Sequence, residues 1–368
     1  MIKGERHDMG GQAPERPRNA ALNGVRRIAV FRALVLGDMI CASPALRALR
    51  ARFPEAHITL VGLPWAREWV RRSSSVDEFI EFPGHPDLPE RTVDARAVPA
   101  FVAHMRAQRF DLAVQLHGSG QTVNALLATW GARRLAAFCE PGQYCPDAVL
   151  SCRWPTQGTE VQRLLHLTDV IGAPRCGEWL EWTVCDEDRR EAMALLKAHG
   201  VHVERPYVCV HAGAQLASRQ WMPESFAQVA DQLALQGMTV VLTGVPHEQA
   251  LGQRVRAAMS QASVDLVGRT SLWSMGALIS SARLLVCNDT GVSHVAAAVN
   301  TPSVVMSCGA DVDRWAPLNK QRHQVLWVPR ECRPCSHPVC PYAHECATGL
   351  TPAQVLEAVG GVLRPAFV

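Results

Sequence analysis

Lysine is nearly missing from this 368-residue chain, occurring only as Lys3, Lys197 and Lys320, so its 37 basic residues are almost all arginine. The formal net charge is only +3, which leaves no basic field of the kind that nucleic-acid binding requires. No run approaches the roughly 20 uninterrupted apolar residues of a membrane helix. Residues 1–23 are polar and rich in Gly, Pro and Arg, without the apolar stretch of a signal peptide, and read as a flexible tail. Whole enzyme classes lose support in the same way. No G-x-G-x-x-G follows the first strand, and no P-loop, G-x-S-x-G or H-E-x-x-H occurs anywhere.

What remains is a soluble balance of 48% hydrophobic and 19% charged residues, over a length that suits two domains. The 13 cysteines are odd in number. Without a secretion signal, free thiols in a reducing cytosol are the expectation.

The apolar pattern predicts two similar halves. In the first, strands over Arg27–Ala33, His57–Leu63, Glu78–Phe82 and Asp111–Leu116 alternate with helices such as Pro44–Arg52. A parallel sheet follows, because each crossover needs a helix. After the polar run 185–190 and a helix ending near Gly200 the pattern restarts. Strands are expected at Tyr207–His211, Thr239–Thr243, Val264–Val267, Leu284–Cys287 and Ser303–Ser307. Thr351–Leu363 reads as one amphipathic helix. Two such sheets in series predict a cleft between them, with ligands outside the carboxyl ends of the strands.

Four segments could carry chemistry. Asn288-Asp289-Thr290-Gly291-Val292-Ser293-His294 follows a strand and opens a helix, where free N–H groups and a partial positive charge attract anions. A cap by Asp289 or Thr290 explains the same residues, and His294 alone reads equally as a packed histidine. Asp38, after the first strand, could take a proton from a substrate hydroxyl, or could simply form a turn. His211-Ala212-Gly213-Ala214, followed by Arg219, offers close backbone approach and a cation for phosphate, although a loop arginine can be a surface residue. Glu248 could accept hydrogen bonds from a ribose or cap its helix. Asp311-Val312-Asp313 has the spacing of a metal-binding pair but lies in a turn-like stretch, so no Mg²⁺ is assigned there. Cys332, Cys335, Cys340 and Cys346, spaced C-x2-C-x4-C-x5-C, could hold a structural zinc or iron, or lie free in a Pro-rich loop.

In order along the chain, GDMICASPALRALRARFPEAHITLVG, FDLAVQLHG, HAGAQLASRQWMPESFAQVADQL, LTGVPHE, LVGRTSLWSMGALISSARLLVCNDTGVSHVAAAVNTPSVVMSCG and RWAPL together resemble glycosyltransferase family 9, the ADP-heptose:lipopolysaccharide heptosyltransferases. The resemblance runs from about Arg26 to the C-terminus. It implies an α/β fold of GT-B type, with two Rossmann-like domains and parallel sheets facing a cleft: residues 24–185 for the acceptor, 186–350 for the donor, and 351–368 as a helix packing back towards the first domain. It further implies an inverting enzyme that needs no cofactor for catalysis and moves a heptose from ADP-heptose to a lipopolysaccharide-core or related glycan. Asp38 is then the general base. Arg219, Gly213, Ala214, Asp289, Thr290, Gly291 and His294 hold the donor phosphates, and Glu248 lies at the nucleoside. The partners implied are a nucleotide-diphosphate sugar and a lipid-linked or cell-surface glycan, at the inner face of the cytoplasmic membrane or peripherally attached to it. Other readings of the same fold are a different nucleotide-sugar enzyme, such as an epimerase or a protein-modifying transferase, and a catalytically silent scaffold.

Overall fold

The computed structural model describes residues 22–201 and 205–364; most of the expected N-terminal tail and the last four residues lie outside them. Short runs dense in Val, Ile, Leu and Ala form the central strands, buried on both faces as strands between helix layers must be, while the edge strands are only partly buried. Twelve strands are found among the described residues. Those of the first half are β1 (Arg27–Phe31), β2 (His57–Gly62), β3 (Glu78–Glu81), β4 (Leu112–Gln115), β5 (Arg134–Phe138) and β6 (Ser151–Cys152). Those of the second half are β7 (Tyr207–His211), β8 (Thr239–Thr243), β9 (Val264–Asp265), β10 (Leu284–Asn288), β11 (Ser303–Met306) and β12 (His323–Leu326).

Both sheets are six-stranded, with order β3-β2-β1-β4-β5-β6 in one and β12-β11-β10-β7-β8-β9 in the other. Every pairing is parallel; Ile28, for example, lies beside Ile58 on one side and Leu112 on the other. The chain reverses direction across each sheet between its first and fourth strands. Each half therefore has a crevice at the carboxyl ends of β1 and β4, or of β7 and β10, where open parallel sheets take ligands.

One buried cluster runs through both halves, from Ile28, Met39 and Leu46 to Met275, Val292 and Val305. Apolar residues thus weld the lobes where they meet. Leu22, expected in the tail, is buried in this cluster, because an apolar side chain just before β1 finds the lobe's core within reach. The C-terminal helix, Pro352–Leu363, is a second correction. Its stripe of Val355, Ala358, Val359 and Val362 joins the core of the second lobe, with Trp221 and Phe226, instead of packing back on the first. The i, i+3, i+4, i+7 spacing makes a single apolar face, and the helix Pro223–Leu235 and β11 satisfy it locally. No helix among the described residues is long and apolar enough to cross a membrane.

Candidate active site

Arg32 directly follows β1, and its side chain is fully buried. An isolated buried guanidinium is costly unless paired, and Arg32 is paired on several sides. Its Nε donates to the carbonyl of Asp38 at 2.7 Å, Nη1 donates to the carbonyl of Leu116, and Nη2 meets Glu160 at 3.1 Å. Glu160 in turn accepts from Arg314 Nε at 2.8 Å. Arg314 belongs to the second lobe, so a chain of alternating charge, Asp38–Arg32–Glu160–Arg314, crosses between the lobes. Burial pushes the Glu160 carboxyl up, but Arg32 and Arg314 outweigh it and hold the group below its ordinary value.

Asp38 lies in the first turn of a six-residue helix, Leu36–Cys41, and not in a simple turn. Its carboxylate is partly exposed, 3.8 Å from Arg32 Nη2. Burial raises its pKa above the ordinary 3.8, with Arg32 opposing and Glu160 adding to the rise.

This helix abuts the one that opens after Asp289 and Thr290, Gly291–Ala298. The approach is close, clashing with a side chain at Gly37 and leaving little room for one at Gly291. A Cβ on Gly37 would lie 2.7 Å from His294 Cδ2, and one on Gly291 would lie 3.0 Å from Leu36 Cβ. His294 is buried, its Nδ1 3.6 Å from the Cys41 thiol. Burial lowers the His294 pKa and raises that of Asp289, each partly offset by the other. Thr290 is the N-cap residue but makes no capping bond with its side chain. Asp289 does not cap either: its Oδ2 accepts from Ser307 Oγ at 3.1 Å. The first-turn N–H groups are consequently not taken by either side chain that the capping alternative offered.

Three further strand ends converge here. Asn288, fully buried at the end of β10, accepts from Trp221 N at 2.9 Å and donates to the Ala212 carbonyl at 2.6 Å. It brackets the two loops that the sequence had assigned separately. Glu248 caps its own turn through Val245 N (2.9 Å) and lies 3.6 Å from His211 Nε2. Its carboxylate also occupies the space a side chain on Gly213 would need, 1.8 Å from the ideal Cβ position. Gly213 and Glu248 border a small crevice with apolar walls of Val210, Leu242, Leu251 and Val267; Ala214 is buried next to it in the chain.

Arg219 donates from Nε and Nη2 to the carbonyl of Cys335, and its charge counters the rise in the Asp289 pKa. The Cys-rich segment therefore supports this arginine through its backbone. Arg333, in the same segment, donates to Ser307 Oγ at 2.9 Å and to the carbonyls of Ser307 and Ala310 at 2.8 Å each, bracing Asp289 from beneath. The four cysteines do not form the metal site their spacing suggested. Among the described residues no group of three or more His, Cys, Asp and Glu converges on one point. Cys346 donates to the Cys308 carbonyl at 2.9 Å and Cys335 lies 3.7 Å from Ser218 Oγ, so hydrogen bonds within the fold claim two of the thiols. Elsewhere Cys139 and Cys145 are joined as a disulfide, against the expectation of free thiols. Asp311 caps the short helix Val312–Trp315 through Arg314 N, in keeping with a turn former.

Arg32, Glu160, Arg314 and Arg333 escaped the sequence reading, and Asn288 entered it without a role of its own. Arg32 was within reach of it, since a lone arginine ending an otherwise apolar run needs a buried partner; the rest are assembled only by the fold.

Two facing parallel α/β lobes, with a carboxylate at the crevice of one against a phosphate-suited helix start in the other, define a glycosyltransferase of GT-B type. The chain belongs to glycosyltransferase family 9 (heptosyltransferase), whose model matches residues 99–345. It is 25% identical over 350 residues to lipopolysaccharide heptosyltransferase 2 of Salmonella typhimurium, a match covering 89% of this chain and 96% of the relative. Two solved structures share the fold. The glycosyl transferase family 9 protein of Veillonella parvula superposes with a TM-score of 0.78 at 21% identity, covering 92% of this chain and 97% of the other. The ADP-heptose LPS heptosyltransferase II of E. coli superposes with a TM-score of 0.72 at 22% identity, covering 92% and 98%.

Proposed function

We propose that this enzyme transfers a heptose from ADP-heptose to a hydroxyl of a lipopolysaccharide-core or related glycan, inverting the anomeric carbon and without an essential metal. The observation that carries the reading is the contact of Gly37 with His294, which sets Asp38 of one lobe beside the Asp289–His294 loop of the other. Asp38 is the general base. Its burial raises its proton affinity, and its partial exposure leaves it open to an acceptor. The leaving nucleotide diphosphate gains negative charge, which Arg219 and the N–H groups opening Gly291–Ala298 stabilise in place of a cation. Thr290, Gly213 and Ala214 shape the phosphate path, and Glu248 and its apolar crevice take the nucleoside. Attack by the acceptor oxygen on the face opposite the diphosphate accounts for inversion. The acceptor and the name of the donor rest on the relatives' names; acceptor delivery at the inner membrane face is part of the same proposal.

The test is Asp38→Asn. Transfer should fall on the order of 10²–10⁴-fold, the usual contribution of a general base, while ADP binding measured by calorimetry stays as in the wild type. Wild-type turnover by this variant would remove Asp38 from the chemistry.

A further inference from the structure

The segment between β3 and the helix Val98–Ala107 folds as a loop closed at its neck. Asp94 N donates to the Pro83 carbonyl at 2.9 Å, and Arg91 donates to the Phe82 carbonyl at 2.7 Å while meeting Glu81 at 2.9 Å. Gly84, at φ +94°, passes so close to Val93 that a Cβ would lie 2.8 Å from its Cα. The loop brings Glu90 to His117, at the carboxyl end of β4 and therefore in the first lobe's own crevice.

His117 is held rigidly. Its ring stacks on Phe31, with centroids 4.9 Å apart, and its side chain is only 7% exposed. Nδ1 accepts from Ala33 N at 3.2 Å, which leaves the ring proton on Nε2. Gln115 clamps the turn by donating to the carbonyls of His117 and Gly118. Burial, with Arg32 adding to it, drops the His117 pKa to about 3, so the imidazole is a neutral donor. That donor faces Glu90 Oε1 across 3.8 Å, too far for a hydrogen bond. Glu90 Oε2 is buried with no hydrogen-bond partner among the described residues. A fixed donor and a carboxylate with an unsatisfied oxygen thus face each other, and at 3.8 Å one shared oxygen can lie about 2.8 Å from both Nε2 and Oε1. A hydroxyl gives and takes a hydrogen bond at once. Arg32 ties this gap to the base, since it bonds both the Asp38 carbonyl and that of Leu116, the residue before His117.

We infer that His117 and Glu90 clamp a hydroxyl of the acceptor sugar, His117 Nε2–H donating to it and the Glu90 carboxylate accepting from it, and so fix which neighbouring hydroxyl reaches Asp38. The inference rests on the transferase reading above. Steady-state transfer is measured with ADP-heptose and de-acylated inner-core oligosaccharide, for wild type, Glu90→Gln, His117→Gln and the double variant. Each single change should raise the acceptor KM roughly ten-fold, the scale of one lost hydrogen bond to a charged group. The double variant should be little worse than either single, because both residues hold the same oxygen. ADP affinity should stay within about two-fold of wild type. Glu90 lies on a surface loop and the Gln change keeps its shape, so this variant reads binding even if His117→Gln folds poorly. An unchanged acceptor KM in Glu90→Gln, beside an active wild type, overturns the clamp alone, as do single effects that multiply in the double variant. A wild type unable to transfer to this acceptor overturns the proposed function and the clamp together.

Discussion

Glu160 opposes two arginines at once, Arg32 at 3.1 Å and Arg314 at 2.8 Å, with its own side chain 1% exposed. Removing one partner from a buried ion network leaves uncompensated charge, which typically costs about 3–5 kcal/mol. Glu160→Gln should therefore lower the melting temperature by several degrees. It should also change the chemistry through Asp38. The negative charge on Glu160 raises the Asp38 pKa, whereas Arg314 lowers it. A base must be deprotonated to act, so the acid limb of the kcat–pH profile follows that pKa. In Glu160→Gln the limb should move to lower pH, and in Arg314→Gln to higher pH. Limbs that moved together, or stayed fixed in both variants, would show that Asp38 is not the group being titrated.

The element that joins sequence to site is the pair of crossed helices, Leu36–Cys41 and Gly291–Ala298. Their contact depends on two positions without a side chain. In Gly37→Ala the new methyl would meet His294 at 2.7 Å, and that ring cannot swing away, being buried between Cys41 and Trp315. The helices must separate by a few tenths of an ångström or more. Misplacement of reacting groups on the 1 Å scale costs on the order of 10²-fold, so kcat should fall by roughly ten- to a hundred-fold while ADP affinity is kept. Unchanged kcat in Gly37→Ala would mean that the helix contact does not set the reacting geometry. Nine strands and the helix Gly291–Ala298 were legible because apolar runs, Gly and polar turn residues mark them locally. The exact start of that helix at Gly291 was less legible, since a glycine reads as a loop residue until its neighbour is known. The helix Leu36–Cys41 and the strands β5, β6 and β12 were not legible. The first has six residues and no capping side chain, and β6 and β12 are short edge strands. The C-terminal helix was legible as an element but not in its partner, because an apolar face does not say which lobe will cover it. Glu90 and His117 illustrate the same limit at a site: nothing in 82–98 announces a loop that meets β4.

At the scale of the whole molecule the lobes are coupled by more than apolar packing. Trp182, in the crossing between them, stacks on Trp273 of the second lobe at 4.4 Å, and Arg72 of the first lobe lies 4.1 Å over the same Trp273 ring. Arg72 also pairs with Asp188, in the first turn of the helix Asp186–Ala198. With Arg314–Glu160, two ion pairs thus bridge the lobes. Burial raises the Asp188 and Glu160 carboxyls, but their arginines prevail and hold both below their ordinary values of 3.8 and 4.5. A depressed carboxyl contributes stability that is complete above its unfolded value and lost as pH falls through the folded one. Coupling should accordingly be constant from neutral pH down to the ordinary carboxylate range, and weaken only below it. Calorimetry should show the thermal transition splitting into two as the lobes come apart in acid. Trp273→Ala removes the stack and the cation–π contact, each worth about 0.5–1.5 kcal/mol, and should bring the splitting to higher pH. It should also raise the donor KM, since closure across the cleft assembles the site. Were the wild type to split at pH 6, or Trp273→Ala to melt as one unit at every pH, these bridges would not be what holds Asp38 against the Asp289–His294 loop.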